Sequence, residues 1–64
     1  MKPGDQVRVL MDQMVPLSGA SLRVPAGALG ELVYAQGFVW RVRFPIGGGL
    51  SVEIVVRTDQ LQLV

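Results

Sequence analysis

The chain has 64 residues, six of them basic and five acidic for a balance of +1, and it contains neither cysteine nor histidine. That composition excludes a disulfide staple and the usual zinc ligands, and the charge is too small for a general polyanion binder. A domain of this length buries only about 60% of the surface that its unfolded chain exposes, so with 50% of its residues hydrophobic a tight core or self-association has to supply the stability.

Met1 to Asp5 passes into a strand-like segment without an apolar leader region, and no apolar run approaches membrane-spanning length. The expectation is a chain with no secretory leader and no membrane span, with the cytoplasm as default location. Pro3-Gly4-Asp5 is a turn signal, and Gln6 to Met11 alternates, with Val7, Val9 and Met11 opposite Arg8 and Leu10. This predicts the first strand. Asp12 to Ala28 is long for a structureless connection in a small domain. Val15 and Leu17 are placed to pair loosely with Leu22 and Val24 around Ser18 to Ser21, and Pro16 removes one ladder donor and confines its arm to an edge.

Pro25-Ala26-Gly27 turns the chain into Leu29 to Ala35, where Leu32 and Tyr34 fall on one face and Glu31 and Val33 on the other. Gly30 within this strand signals a bulge or a close backbone approach. Ala35-Gln36-Gly37 predicts a tight turn into the clearest strand of the chain, Phe38 to Phe44, with Phe38, Trp40, Val42 and Phe44 inward and Arg41 and Arg43 outward. Gly47-Gly48-Gly49 precedes a strand rather than a helix and has no lysine nearby, so it reads as a hairpin connection and not as a phosphate-cradling loop. In Leu50 to Val56 the inward set is Leu50, Val52, Ile54 and Val56. Thr58-Asp59-Gln60 predicts one helical turn capped by Thr58 or Asp59, and Leu61 to Val64 a last strand with Leu61 and Leu63 in the core. No window supports a longer helix, because glycine, proline and β-branched residues interrupt each one. The expected fold is all-β: a single SH3-like barrel of five strands over residues 1-64, with a short helical turn before the last strand.

The spacing of Gly4 to Val9, Gly27 to Val33, Trp40 to Phe44 and Asp59-Gln60-Leu61 resembles small SH3-like families. It looks like the photosystem I accessory E subunit and the variable subunit of ferredoxin-thioredoxin reductase, and Gly27 to Val33 is similar to a KOW element. The resemblance implies a docking or stabilising partner, or an RNA binder, and its barrel-building residues do not separate these jobs. A weaker similarity is to the type II plasmid dihydrofolate reductases, whose subunits form a tetramer around a central pore. There Val52-Glu53-Ile54-Val55, preceded by Ser51, stands where that family has a Val-Gln-Ile-Tyr run. Glu53 puts a carboxylate in place of an amide, Val55 removes a tyrosine hydroxyl, and that family's pore lysine has no clear equivalent, since Lys2 is the chain's only lysine and lies at the terminus.

Among individual features, Leu10, Val33, Val39 and Val55 lie on the outward phase of their strands, and Leu17 and Ile46 lie in loops. Contiguous, they exceed what a monomer exposes. Arg8, Arg41, Arg43 and Arg57 also point outward, as candidate contacts to an anion or nucleic acid, or as a solvated face that pairs with Glu31 and Glu53 for roughly 0.2 to 1 kcal/mol per pair. Tyr34 and Trp40 read as core. Catalytic chemistry has few candidates, since Asp5, Asp12 and Asp59 occupy turn or cap positions and only Glu31 and Glu53 could form an acid and base pair. No metal and no cofactor are expected. The reading is a non-catalytic interaction module, docking on a protein partner or a second copy of itself through the face containing Leu10, Val33, Val39 and Val55. The alternatives are an oligomeric reductase-like enzyme and a weak KOW-like RNA or DNA binder.

Overall fold

In the computed structural model the chain forms seven strands: β1 (Gln6–Val9), β2 (Gln13–Leu17), β3 (Ala20–Val24), β4 (Leu29–Gln36), β5 (Val39–Gly47), β6 (Leu50–Arg57) and β7 (Leu61–Leu63), with a 3-10 turn over Thr58–Gln60. The structure describes residues 1-64 apart from the side chain of Leu17, so the expectation that Leu17 is an outward apolar residue lies outside the described residues. The protein is all-β: a five-stranded antiparallel sheet in the order β6-β5-β4-β1-β7, and a separate two-stranded sheet of β2 and β3. The five main strands and the helical turn stand where the alternation put them. The expected irregular hairpin is a regular one, with Val15 opposite Leu22 and Leu17 opposite Ala20. Pro16 sits on a strand with a single ladder neighbour, the edge position that its missing N–H requires.

One core lies under the sheet. Val7, Val9, Val24, Leu32, Trp40, Val42, Phe44, Ile54, Val56 and Leu61 are buried, and Val15, Ala28 and Val52 pack against them. Burying a side chain such as Phe44 contributes about 1.5–3 kcal/mol relative to leaving it in water. Among the described residues no buried side-chain nitrogen or oxygen lacks a hydrogen-bond partner.

Several expected core residues lie elsewhere, each for a local reason. The β4–β5 register shifts between Leu32 and Tyr34, so Val33 is the extra residue of a bulge and Tyr34 turns out to face Arg41. Gly30, four positions from Tyr34, makes the close approach instead: a Cβ there would lie 2.8 Å from Phe44 Cε1. Phe38 is not inward but 90% exposed, because it is the second central residue of the turn joining β4 to β5. Gly37 precedes it with a φ of 62°, the left-handed value that a type II′ turn needs at its first central residue. Met11 leaves the sheet because β1 ends at Val9. Leu50 and Leu63 remain exposed, the first beside the Gly48-Gly49 turn and the second on the three-residue edge strand β7, where β1 is its only ladder neighbour.

No cap is made by Thr58 or Asp59 on the 3-10 turn. Thr58 instead donates twice to the Phe38 carbonyl, from its amide at 2.9 Å and from Oγ1 at 3.0 Å, while Asp59 accepts from Arg57 at 2.8 Å. No helix of the structure is long and apolar enough to cross a membrane.

Candidate interaction face

The outward residues of β4, β5 and β6 form cross-strand rows, since side chains of residues paired in an antiparallel ladder stand on the same side of a sheet. Glu31, Arg43 and Glu53 make one row. Arg43 lies between the two carboxylates, 3.9 Å from Glu31 and 3.1 Å from Glu53. The next row is Tyr34, Arg41 and Val55, and the row after it Gln36, Val39 and Arg57. Arg41 donates through Nε to the Tyr34 hydroxyl at 2.9 Å, and its guanidinium carbon stands 5.5 Å from the centre of the Tyr34 ring. That pair fixes an arginine which, among the described residues, has no carboxylate partner.

The four apolar residues expected to share a face divide. Val39 and Val55 stand on neighbouring strands one row apart, Val39 half-buried and Val55 exposed. Val33 is half-buried at the bulge. Leu10 is exposed just beyond the end of β1, where its amide donates to the Gln60 carbonyl, and so belongs to another part of the surface. The arginines divide as well. Arg41, Arg43 and Arg57 share the β5–β6 face, whereas Arg8 lies on β1, across the ladder from Leu29 and Gln62. Arg43 and Arg57 are neutralised by Glu31, Glu53 and Asp59, and Arg23 by Asp12. A connected field of unpaired positive charge, the footprint of a polyanion site, does not result.

Two residues that sequence reasoning assigned to the core, Tyr34 and Phe38, are exposed, the first on this face and the second on the turn at its end. Tyr34 was legible only through the bulge at Val33, which no glycine or proline marks. The signal for Phe38 was Gly37, whose turn extends one residue further than Ala35-Gln36-Gly37 alone suggests.

A crevice of about 350 Å³ runs beside this face, between Gln13 to Pro16 of β2 and Glu53 to Val55 of β6. A groove of about 620 Å³ crosses the other end of the outer surface, over Leu29, Glu31, Arg43, Pro45 and Ser51. Ser51 is opposite Pro45, and Glu53 is engaged by Arg43. The Ala26 backbone N–H, at 2.7 Å, and then the Arg23 guanidinium hold the Asp12 carboxyl below the ordinary 3.8. It ties the base of the β2–β3 hairpin. Among the described residues no group of three or more His, Cys, Asp or Glu is placed to hold a metal ion.

No family model, curated protein or solved structure matches this chain. The class of protein is therefore defined by its own architecture, a small all-β domain of two antiparallel sheets.

Proposed function

We propose that this chain is a non-catalytic interaction module of SH3-like architecture that docks through the outer face of β5 and β6. The architectural reading is supported by the order β6-β5-β4-β1-β7 and by the 3-10 turn that leads into the last strand. The functional reading rests on one observation: Tyr34, Val39, Arg41 and Val55 stand in two adjacent rows at one end of that face, and the exposed Phe38 lies on the turn just beyond them. Aromatic residues and arginine are the types that dominate protein interface energetics. Phe38 meets water over nearly its whole side chain on a turn whose carbonyl is held by two donors, so the backbone that presents it is already ordered before contact.

A second copy of the chain fits this face by charge. Arg41 lacks a carboxylate, and Glu53 lies one row away on the same surface. A two-fold axis beside Val55 sets Arg41 against Glu53 of the second copy and Glu53 against Arg41, the reciprocal arrangement that an isologous contact requires. Light scattering over a dilution series tests the reading. The expected result is a mass that rises from 6.9 kDa towards twice that value with concentration, and that stays at the monomer in Val55→Ser. A wild-type monomer at every concentration removes self-association, and an unchanged dimer in Val55→Ser removes this face.

A further inference from the structure

A seam separates β2 of the small sheet from β6 of the large one. In an antiparallel ladder successive residues turn their N–H and C=O groups alternately to one neighbour and to the other. The Thr58 amide donates to Phe38 at the end of the β5–β6 ladder. Counting back in twos along the register, Val56, Ile54 and Val52 direct their backbone groups to β5. Ser51, Glu53, Val55 and Arg57 therefore direct theirs to the open edge. On β2 the two-residue turn Ser18-Gly19 closes the pair Leu17 and Ala20, so Val15 and Gln13 face β3 while Met14 and Pro16 face their own open edge.

Residues of both open edges, Gln13 to Pro16 and Glu53 to Val55, line one crevice together with Arg41 of β5. The strands run in opposite directions, because the Gln13 side chain at the start of β2 donates to Gln60, just beyond the end of β6, at 2.9 Å. Their facings also match. Val15 packs against the core and Ile54 is buried, while Met14 and Val55 are both exposed. Yet among the described residues no ladder joins β2 to β6, which belong to separate sheets. On the open edge of β2, Met14 offers an N–H and Pro16 offers none.

We propose that the β2–β3 hairpin is a strap poised to pair with β6, Met14 with Val55 and Pro16 with Glu53, and that Pro16 holds the seam open. Any other residue at position 16 supplies the donor that returns a bond to Glu53. The strap is anchored at its base by Asp12, which accepts from the Ala26 amide and from Arg23, so its movement is confined to the strand arm.

Amide hydrogen exchange of the isotopically labelled full chain, read residue by residue by NMR, tests this. In the wild type the Glu53 and Val55 amides should exchange about tenfold or more faster than those of Ile54 and Val56. In Pro16→Thr, with Trp40 fluorescence reporting the fold, the Glu53 and Val55 amides should slow by about tenfold or more while Ile54 and Val56 keep their rates. Equal protection of all four in the wild type overturns the open seam, and this arm stands even if the variant fails to fold. A folded Pro16→Thr, or Pro16→Val, with unchanged rates overturns the role of Pro16. Protection of Glu53 and Val55 in the wild type that grows with protein concentration assigns the edge to a second copy, and overturns the strap.

Discussion

Gly30 of β4 lies directly beneath the ring of Phe44 on β5, so close that a Cβ at position 30 would sit 2.8 Å from Phe44 Cε1 and equally close to Val42 Cγ1. Both neighbours are buried core side chains, at 2% and 0% exposure, with no solvent to retreat into. The backbone of Gly30 is not in the left-handed region, so the demand for glycine here is steric rather than conformational. Gly30→Ala should therefore destabilise the fold by about 1–3 kcal/mol, the usual cost of forcing extra volume into a packed core. For a domain of this size each kcal/mol lowers Tm by about 4–8 °C. A thermal melt followed by circular dichroism checks it, and a Tm equal to that of the wild type would show that β4 and β5 separate there without strain.

This contact was half legible in the sequence, and the half that was missing explains most of the misplaced residues. Strict alternation in Phe38 to Phe44 and Leu50 to Val56 located β5 and β6 and correctly turned Trp40, Val42, Phe44, Ile54 and Val56 inward. Gly30 announced either a bulge or a close approach, and alternation cannot choose between them because both use a residue without a side chain. The close approach is at Gly30 and the bulge is three residues on, at Val33, where a β-branched residue gives no sign of it. A one-residue insertion reverses the facing of all that follows, which is how Tyr34 came to the outer surface and met Arg41. Leu63 and Leu50 kept the expected phase but not the expected burial, since phase says nothing of whether a neighbouring strand exists to cover them. Of the candidate interaction face, the outward phase of Val39, Arg41 and Val55 was legible, and the exposure of Tyr34 and Phe38 was not.

Asp12 makes the hairpin base sensitive to acid. Its carboxylate is stabilised by the Ala26 amide and by Arg23, so its folded pKa lies below the 3.8 of an unstructured chain. The stabilisation that this supplies is complete above the ordinary value and is lost as the pH falls through the lowered one, where folded and unfolded chains bind the proton alike. Asp12→Asn should lower Tm at neutral pH and should shrink the difference from wild type as the pH drops below 3.8. Melts across that interval decide the matter: a difference that is constant with pH would mean that the amide replaces the carboxylate and that charge contributes nothing at this position.

Phe38 should be dispensable to the fold and needed for docking. Its side chain is 90% exposed, and the turn that carries it is held through its carbonyl by Thr58, a contact that survives truncation of the ring. Phe38→Ser should leave stability within about 0.5 kcal/mol of wild type, as is usual for exposed positions, while weakening self-association by about tenfold or more, the scale of an aromatic anchor. Sedimentation equilibrium of the two proteins, matched with thermal melts, separates these effects. A loss of Tm without a change in mass would place Phe38 in the fold and remove it from the interface.

Arg41 and Glu53 offer the sharpest test of the docking geometry, because the proposed two-fold contact pairs each with the other across copies. Arg41→Glu alone sets Glu against Glu53 of the second copy, and Glu53→Arg alone sets Arg against Arg41, so each should reduce the associated fraction at a fixed concentration. Glu53 also neutralises Arg43 within the chain, at 3.1 Å, so its single variant should lose some stability as well, within the roughly 0.2–1 kcal/mol typical of exposed pairs. The double variant restores opposite charges across the axis and should recover association measured by light scattering, although the internal pair with Arg43 remains broken. Recovery in the double variant is an outcome that neither a misfolding explanation nor an unrelated contact surface produces. Additive loss, with the double variant weaker than either single one, would dismiss the two-fold arrangement about Val55, and a low-salt repeat should enlarge every one of these differences because the charges are exposed.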